Sequence, residues 1–497
     1  MVSDQRLQDC RAHIDSLLNI KGHAGLRKTS YPSRSLNFLG RQEVHPFHQK
    51  LPRNESDALT DEQAKVLLDI IIVGAGLGGL ATSIALRRRG HKVTVFEKAE
   101  KLDEVGAGIQ IPPNSSRLLL KWGLGPYLTP KAHEPTAIKM RRWQDGSIIG
   151  LTQLVPDFQD LFHAPYFVVH RGNLQLAMYQ RALDLGVDVR VNKGVGGYEL
   201  DGEVGTKAGV VLEDGSVHYA DLIVAADGVK SEARKVVFGG EDQAPRRTGF
   251  AAYRAMVDTE EMRKHPQVSW LLENPGQNLW LGEMRHVMTY TVAGGSAFNM
   301  VLSHPEDSDP STWNQDTAIQ EMKQHFAGWD PRLTKIINMI KSTLKWPLLS
   351  GEPLSTWLHP SSKLVIIGDA AHAMVPYMSS GAAMAVEDGA ALAEILCLIT
   401  SPQDLPRALK VFERVRILRA GQIQEASLVN GKIWHFADGA EQRARDESMR
   451  EEVAGRMGEE SANQWSDRVT MEWVYGYDAE REVAVAWEDD AREKPRP

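Results

Sequence analysis

Three glycines in the stretch VGAGLGGL are spaced to hold the phosphates of a nucleotide. Gly74, Gly76 and Gly79 form a GxGxxG pattern between an apolar run and a helical pattern. In such a loop the first glycine permits a tight turn, the second lets backbone approach a diphosphate, and the third lets the helix pack on the strand. Glu97 follows 18 residues after Gly79, where a carboxylate binds ribose hydroxyls and repels a 2′-phosphate. The spacing predicts a bound dinucleotide such as FAD or NAD.

Two later motifs also follow apolar runs. AADGVKSEAR places Asp227, Ser231 and Arg234 in a DGxxSxxR pattern, and LVIIGDAA places Asp369 after a glycine. Each motif alone is typical of a strand-ending turn. Three such motifs in this order, each behind a buried strand, favour a nucleotide site over coincidental turns.

The elements that must position these motifs alternate between strand and helix. VLLDIIIVGAG, LGGLATSIALRRRG and KVTVFEK predict a βαβ unit with adjacent parallel strands. Within residues 247–305, the segments GFAAYRAMV, VSWLLE, NLWLGE, RHVMTYTVAGG and FNMVLS predict antiparallel strands of an inserted sheet. Two long helical patterns follow, AAMAVEDGAALAEILCLIT and LPRALKVFERVRILRAGQIQEAS. The fold class is therefore α/β, Rossmann-like, with an inserted mainly antiparallel β-sheet and C-terminal helices.

Composition excludes several other classes of protein. The net charge of −8 argues against a nucleic-acid partner, and the two cysteines, Cys10 and Cys397, can form neither a disulfide scaffold nor a zinc site. No metal-binding spacing of histidines occurs, and the apolar run at 66–86 is broken by Asp69 and glycines, so no transmembrane segment is predicted. A reducing compartment, with cytoplasmic as the default, is expected.

The motif set GAGLGGL…E, DGVKSEAR and GDAAHAMVPYMSSGAAMAVED resembles the single-component aromatic-ring hydroxylases that use FAD. EVGAGIQIPPNSSRLLLKWGL, HRGNLQ and WVYGYDAEREVAVAW are similar to segments of the salicylate-hydroxylase-like branch, and the resemblance covers about residues 66–490. It implies the aromatic hydroxylase fold, FAD as cofactor, and NADH or NADPH as a transient co-substrate. It also implies that O2 supplies one oxygen to a small aromatic or phenolic substrate through a flavin C4a-hydroperoxide, without a metal.

The resemblance assigns roles to individual cofactor-binding residues. Glu97 would bind the adenosine ribose, and Asp227 would serve the diphosphate and transient NAD(P)H binding. Asp369 would bind the ribityl chain or the diphosphate. Gly108 would lie near the flavin, and Arg171, in HRGNL, would reach the diphosphate region.

The resemblance also implies a helix whose first residues are Gly381 and Ala382, called here the flavin-edge helix. The N–H groups of its first turn would face the N1/C2 carbonyl edge of the flavin. Such a helix N-terminus stabilises the negative charge of reduced flavin. Many relatives have glutamine before this glycine, where the chain has Ser380. Because backbone donors do most of the binding, we expect flavin binding to survive this difference. Pro376 is expected to shape the backbone beside the flavin.

Two side chains of the inserted sheet are candidates for catalysis. Tyr253 and Arg254 are adjacent on a strand and point to opposite faces. Related hydroxylases place an arginine on this strand, so Arg254 is favoured as the group that holds a phenolate or carboxylate. Tyr290 would hydrogen-bond the substrate phenol or relay its proton. The alternatives are an outer-face ion pair for Arg254 and a half-buried sheet tyrosine for Tyr290. His286 and His372 are expected to be structural.

The predicted domain organisation has four parts. Residues 1–62 form an N-terminal extension, expected to be disordered unless it serves targeting or partner binding. The FAD-binding domain comprises 63–246 and 356–400, the substrate-binding sheet 247–355, and a C-terminal helical region 401–497. A monomer or a homodimer is compatible with the sequence.

Three functions stay open at this point. The first is salicylate-like hydroxylation, with or without decarboxylation. The second is a biosynthetic monooxygenase that hydroxylates, dearomatises or epoxidises a polyketide or alkaloid. The third is a non-catalytic FAD-binding redox sensor. The intact DG and GD motifs argue against this last function.

Overall fold

The computed structural model describes residues 62–102, 107–200, 207–273, 276–456 and 461–493. The predicted N-terminal extension lies outside these ranges, apart from Glu62.

Strands and helices alternate in the first part of the chain, and helices dominate the last part. The strands are β1 Asp69–Val73, β2 Lys92–Phe96, β3 Gly108–Ile111, β4 Ala137–Arg142, β5 Ile148–Gln153, β6 Phe167–His170, β7 Asp188–Arg190, β8 Val195–Glu199, β9 Ala208–Leu212, β10 Val217–Ala220, β11 Leu222–Ala225, β12 Arg246–Asp258, β13 Gln277–Gly282, β14 Arg285–Val292, β15 Ala297–Pro305, β16 Thr343–Ser350 and β17 Leu364–Ile366. The helices are α1 Leu77–Arg88, α2 Pro113–Lys121, α3 Gly125–Leu128, α4 Asp157–Phe162, α5 Arg171–Asp184, α6 Glu232–Val237, α7 Thr259–Arg263, α8 Pro266–Glu273, α9 Ala318–His325, α10 Pro331–Met339, α11 Asp369–His372, α12 Gly381–Leu398, α13 Leu405–Trp434, α14 Ala440–Ser448, α15 Arg450–Val453, α16 Arg468–Tyr475 and α17 Ala479–Glu493.

The first lobe is built on a five-stranded parallel sheet in the order β17-β11-β1-β2-β7. The apolar run that forms β1 is buried in the middle of this sheet, as expected for a central parallel strand. Because β1 and β2 pair in parallel across α1, the predicted βαβ unit is confirmed. A three-stranded antiparallel sheet, β10-β9-β8, lies beside it.

Helix α12 covers this lobe and packs closely on α1. A Cβ at Gly389 would lie 2.9 Å from the Cα of Thr82, so only glycine permits this helix–helix distance. Almost every residue of α12 beyond its first two is buried. The helix that begins at Gly381 is therefore held rigidly against the parallel-sheet lobe.

The second lobe is a seven-stranded sheet in the order β16-β12-β15-β14-β13-β4-β5. Its pairs are antiparallel except β13–β4, which is parallel. Two of its strands, β4 and β5, come from residues 137–153, which the sequence analysis had not assigned to this sheet. The predicted strand in VSWLLE is wrong, because Pro266–Glu273 is a helix whose Val268 and Leu271 are buried at helical spacing.

The two faces of this sheet have different neighbours. One face packs with α7–α10 in a core that contains Tyr253, Trp280 and Phe298. The other face packs in a core shared with Tyr377 and Met378, which lie just before α12. Any site between the two lobes is therefore lined by the second face.

Candidate active site

The glycine loop between β1 and α1 shows a different environment at each glycine. Gly74 has φ +101°, and a Cβ there would lie 2.5 Å from the carbonyl oxygen of Ala226. A Cβ at Gly79 would lie 1.9 Å from the carbonyl oxygen of Gly74, so the helix packs directly on the loop. Gly76 precedes the helix and has no heavy atom within 4 Å of its Cβ position. Packing thus requires two of the glycines, while Gly76 borders open space at a helix N-terminus, which suits a diphosphate.

Glu97 lies at the end of β2, next to this loop. Its Oε2 accepts a hydrogen bond from the Ala75 N–H at 2.7 Å, and its Oε1 accepts one from the Ala99 N–H at 2.8 Å. The carboxylate is therefore fixed beside the open space of the loop, where the ribose of a bound dinucleotide is expected.

The DG motif after β11 stabilises the start of helix α6, and within the described part of the chain it also leaves one carboxylate oxygen of Asp227 unpaired. Asp227 Oδ2 accepts from the N–H groups of Glu232 and Ala233 at 2.9 and 3.1 Å, and Ser231 Oγ caps α6 through the Arg234 N–H at 2.9 Å. Arg234 also donates to the carbonyl oxygen of Ala370 at 3.1 Å, which joins the DG and GD turns. Asp227 Oδ1 is buried without a hydrogen-bond partner among the described residues.

Asp369 is the exposed residue of an otherwise buried segment. Gly368 before it adopts φ +60° and ψ −144°, a conformation that favours glycine. Residues 362–368 and 370–373 are buried, whereas Asp369 is exposed. This turn projects a carboxylate out of the lobe, where a ligand can reach it.

The N-terminus of α12 is open to the same side. The Met384 N–H donates to the carbonyl oxygen of Ser380 at 2.8 Å, so the preceding N–H groups of the first turn have no partner within the helix. Gly381 and Ala382 are partly exposed while the following residues are buried. The Ser380 hydroxyl donates to the carbonyl oxygen of Met378 at 2.8 Å and does not obstruct the helix end.

A buried charged network holds this helix in place, and the sequence analysis missed it. Arg416 on α13 donates to Asp388 Oδ1 at 2.9 Å and to Glu387 Oε2 at 2.8 Å, and Arg419 donates to Glu387 Oε1 at 3.1 Å. All four side chains are at most 1% exposed. Two adjacent acids inside an apolar helix, AVEDGAAL, were the available signal, but their arginine partners are distant in sequence.

The network extends to the GD turn. Asp388 Oδ2 accepts from the Gly368 N–H at 3.0 Å and lies 2.6 Å from His372 Nε2. Burial alone would raise the pKa of Asp388, but His372 and Arg416 hold that pKa below its usual value. One ionised carboxylate thus fixes α12 relative to the turn that carries Asp369. His372 lies in the buried structural position that the sequence predicted.

Arg254 and Tyr290 lie on the sheet face that is turned towards the first lobe. Arg254 pairs with Val301 on β15, and Tyr290 pairs with Asn299 on the same strand, two residues away. Burial raises the pKa of Tyr290, and the nearby Arg254 guanidinium opposes part of this rise. Tyr253 faces the other way and stacks on His304 with ring centroids 4.4 Å apart. The predicted alternation of Tyr253 and Arg254 is therefore observed.

Strands β3 and β6 form a two-stranded ribbon next to Tyr290. This ribbon carries Gly108 and leads into Arg171, the two remaining residues predicted to bind the cofactor. Gly108 pairs with His170, the residue before Arg171. A Cβ at Gly108 would lie 2.3 Å from Cε2 of Tyr290, and its N–H donates to Asn299 Oδ1 at 2.7 Å. The structure thus places Gly108, Arg171 and Tyr290 around one ribbon.

Several polar side chains on this face were not predicted. Gln277 is fully buried, and neither its Oε1 nor its Nε2 has a hydrogen-bond partner among the described residues. Asn299 Nδ2 also lacks a partner among these residues, and the Ser303 and Tyr377 hydroxyls lie close to each other on the same face. Polar residues at alternate, inward-facing positions of apolar strands were the signal that the sequence offered.

His286 lies on this face too, but it packs within an aromatic cluster. Its Nδ1 is 2.8 Å from Nε2 of His435, and it contacts Tyr377 and Trp434 edge to face. Burial lowers the pKa of His286 well below its usual value and lowers that of His435 to about 3. Both rings are therefore neutral, as in the structural position predicted for His286.

In the ranges that the structure describes, no helix is long and apolar enough to cross a membrane. Nor do these ranges contain a group of three or more histidine, cysteine, aspartate or glutamate side chains suited to a metal ion.

The arrangement fits an extended dinucleotide with a ring system at its far end. The space beside Gly76, the unpartnered Oδ1 of Asp227, the projecting carboxylate of Asp369 and the open end of α12 all lie on the first lobe. These groups suit a diphosphate, a hydroxylated chain and an electron-rich ring edge, which are the parts of FAD. The sheet face that carries Arg254 and Tyr290 would close the ring end.

Comparison with known proteins supports this interpretation. A family model described as an FAD binding domain matches residues 67–427. The FAD-dependent monooxygenase OpS4 of Beauveria bassiana (strain ARSEF 2860) is 36% identical over 420 residues, which cover 84% of this chain and 96% of OpS4. A 3-hydroxybenzoate 6-hydroxylase of Polaromonas naphthalenivorans (strain CJ2) is 30% identical and covers 82% of this chain and 96% of its own.

The fold comparison agrees with the sequence comparison. A solved salicylate hydroxylase substrate complex superposes with a TM-score of 0.69 at 26% identity and covers 85% of this chain and 98% of its own. The predicted fold class is therefore confirmed.

Proposed function

The chain belongs to the family of FAD-dependent aromatic monooxygenases, and from this premise we propose that it inserts one oxygen atom of O2 into a small phenolic acid. The observation that carries the proposal is the sheet face opposite the cofactor lobe. It presents the Arg254 guanidinium and the buried, un-ionised Tyr290 hydroxyl two residues apart in register. A cation beside a hydroxyl complements an aromatic ring that carries an acid and a phenol.

The proposed reaction converts an aromatic C–H bond into C–OH. One oxygen atom of O2 enters the product and the other leaves as water. NAD(P)H supplies a hydride and becomes NAD(P)⁺, and one proton is consumed. When bound, FAD supplies the chemistry that accepts the hydride and activates O2.

In this proposal Arg254 binds the carboxylate or phenolate of the substrate and sets its orientation. The un-ionised Tyr290 hydroxyl accepts a hydrogen bond from the phenol or relays the phenol proton while giving up its own, so the ring becomes a better electron donor. Because Gly108 lies directly against the Tyr290 ring, the tyrosine has one position relative to the ribbon.

The cofactor residues have proposed roles on the other side of the cleft. Glu97 binds the adenosine ribose, and the loop of Gly74, Gly76 and Gly79 receives the diphosphate. Asp227 and Arg171 complete the diphosphate region, with Asp227 also serving NAD(P)H.

The ring end of the cofactor has its own set of proposed contacts. Asp369 binds the ribityl chain, and Gly108 lies near the flavin. The N–H groups of Gly381 and Ala382 stabilise negative charge at the flavin edge, because a helix N-terminus carries a partial positive charge.

The experiment that tests the proposed function is a substrate panel on the FAD-loaded full chain. Salicylate, 3-hydroxybenzoate and 4-hydroxybenzoate are compared with benzoate and phenol by the rates of NADH and NADPH oxidation, and product masses are measured. We expect at least one hydroxybenzoate to accelerate oxidation and gain one oxygen. Loss of carbon dioxide in addition would identify decarboxylative hydroxylation.

Other outcomes of the panel identify the rival functions. Acceleration only by a larger polyketide or alkaloid would favour a biosynthetic monooxygenase. Oxidation that no aromatic compound accelerates would favour a redox sensor and contradict the proposal. Use of NADH or NADPH, a monomeric or homodimeric state, and a cytoplasmic location stay predictions.

A further inference from the structure

A polar row crosses the centre of the sheet face that carries Arg254. Tyr290 on β14 pairs with Asn299 on β15. On the other side of β14, strand β13 runs antiparallel with Asn278 opposite Thr289. The next residue on each strand extends this register, so Gln277 lies opposite Tyr290. Cross-strand neighbours point to the same face of a sheet. Gln277, Tyr290 and Asn299 therefore form one row of side chains, called here the polar row.

Asn299 is already fixed within this row. Its Oδ1 accepts the Gly108 N–H at 2.7 Å, so its Nδ2 is turned away from the ribbon and has no partner among the described residues. The row therefore contains one amide whose orientation the protein itself determines.

Gln277 is different, because neither end of its amide has a hydrogen bond of good geometry within the described structure. The side chain is fully buried, and both Oε1 and Nε2 lack such a partner there. Burial raises the pKa of Tyr166, and a side-chain hydrogen-bonding interaction with the nearby Gln277 opposes part of this rise, but the Tyr166 hydroxyl donates its proton to Gln110 Oε1 at 2.5 Å. Leaving a buried amide unsatisfied destabilises a protein. Such a residue is expected where a ligand completes its hydrogen bonds.

The position of Gln277 relative to Arg254 defines what that ligand must offer. Arg254 lies on β12 and Gln277 on β13, three strand positions apart in the sheet order. Strand spacing separates them by about 14 Å across the sheet, and the two-residue offset between their rows adds about 7 Å along the strands, so their backbones lie about 16 Å apart with Tyr290 between them. A guanidinium only donates hydrogen bonds, whereas a carboxamide both donates and accepts. The two side chains therefore suit different groups at opposite ends of one ligand.

We propose that Gln277 is a specificity-determining residue that binds a hydroxyl or carboxamide substituent at the end of the aromatic substrate opposite to the acid group held by Arg254. This inference rests on the proposed function and deepens it. The substrate class is then an aromatic acid with a second, donating and accepting substituent far from its carboxylate.

The test uses Gln277→Leu in the FAD-loaded full chain, with Gln277→Met as a second variant of similar volume. Binding of 4-hydroxybenzoate, 4-carbamoylbenzoate and benzoate is measured by perturbation of the flavin spectrum. We expect Kd for the two substituted acids to rise roughly 10- to 100-fold, the loss expected for one or two buried hydrogen bonds. Kd for benzoate should stay unchanged.

The same variants should be more stable when no aromatic ligand is present. Removing an unsatisfied amide relieves its desolvation cost, so the thermal midpoint should rise by about 1–2 °C. Thr289→Val is the matched control, since Thr289 is equally buried on the same strand as Tyr290 but on the opposite face. This variant should leave ligand preference unchanged and should not raise the thermal midpoint of unfolding.

The outcomes separate the two proposals. If the wild-type protein binds none of the three acids, the inference is wrong, whereas the proposed function fails only if salicylate and 3-hydroxybenzoate also leave NAD(P)H oxidation unaccelerated. If the wild-type protein discriminates between benzoate and the substituted acids and both Gln277 variants retain that discrimination, the inference alone is wrong. Weakened FAD binding with unchanged ligand preference would assign Gln277 to the cofactor and would also overturn the inference.

Discussion

Two buried polar regions on opposite sides of the candidate active site differ in how their hydrogen bonds are satisfied. Beneath the flavin-edge helix, Glu387, Asp388, Arg416 and Arg419 are all engaged in mutual ion pairs. On the sheet face, Gln277 and other polar groups lack partners within the described structure. The paired side chains hold the flavin-edge helix in place, whereas the unpaired ones have hydrogen-bonding capacity left over, which we propose a ligand uses.

Two buried carboxylates, Glu387 and Glu452, differ in the same way, because one has charged partners and the other has only neutral ones. Burial would raise the pKa of Glu387, but Arg419 and Arg416 outweigh it and hold that pKa below its usual value. Glu452 is also buried, yet its partners are neutral: the Leu151 N–H at 3.0 Å and the Asn463 amide at 2.9 Å. Burial raises the pKa of Glu452 to about 7. Charge compensation therefore distinguishes the network at the cofactor lobe from the carboxylate that anchors the C-terminal segment on β5.

The largest effect is expected from breaking the charged network. Arg416→Met removes one of the two cationic partners of each buried carboxylate, leaving Glu387 with Arg419 and Asp388 with His372. The loss of this buried pairing should lower the free energy of unfolding by about 3–5 kcal/mol. Denaturant unfolding of the FAD-loaded chain measures this loss. Arg407→Met is the control, because its pair with Asp490 at 2.6 Å is about one quarter exposed and should contribute at most about 1 kcal/mol. Equal losses in the two variants would refute the structural role of the network.

The next effect concerns Glu452 and pH. Its folded pKa of about 7 lies above the unfolded value of 4.5, so the folded state binds the proton more tightly. Its contribution to stability is complete below pH 4.5 and is lost as pH rises towards 7, by about 3 kcal/mol in total. Glu452→Gln should remove this dependence, measured as the difference between wild-type and variant unfolding free energies over that range. A parallel pH profile for the two proteins would contradict the assignment.

On the sheet face, Arg254→Ala should weaken binding of a hydroxybenzoate by about 1.5–3 kcal/mol, the value of hydrogen bonds to a charged group. Phenol, which lacks the carboxylate, should bind both proteins alike. Arg247→Ala serves as the control, because this arginine is exposed on the same strand. Unchanged hydroxybenzoate affinity in Arg254→Ala would place Arg254 outside the substrate site.

The smallest effect on stability is expected at Gly76. Since its Cβ position borders open space and its φ is −69°, Gly76→Ala should change the unfolding free energy of the FAD-free chain by less than about 0.5 kcal/mol. FAD affinity should fall nonetheless, because the new methyl group enters the space of the diphosphate. Gly79→Ala should instead destabilise the FAD-free chain, since its Cβ clashes with backbone. Equal stability losses would show that packing also requires Gly76.

Local patterns predicted the βαβ unit and the glycine turn of the first lobe, because each depends on residues that are close in sequence. The cofactor contacts assigned to individual residues stay predictions. Strand alternation also gave the opposite orientations of Tyr253 and Arg254. The segment VSWLLE was predicted wrongly because a short apolar run fits a strand and a helix equally well.

Long-range partners account for what the sequence did not reveal. Asp388 and Arg416 are 28 residues apart, and Gly108 meets Asn299 across 191 residues. The unpaired state of Gln277 depends on strand register and on the packing of Tyr166 and Gln110. No local signal encodes such arrangements, because they arise only when elements that are distant in sequence pack together.

The most direct test of the central claim follows the fate of O2. The FAD-loaded protein is given NAD(P)H, the hydroxybenzoate that most accelerates its oxidation, and isotopically labelled O2 in ordinary water. The account predicts one labelled oxygen atom in each molecule of hydroxylated product. Product oxygen derived from water, or NAD(P)H oxidation that yields only hydrogen peroxide and leaves the aromatic compound unchanged, would contradict it.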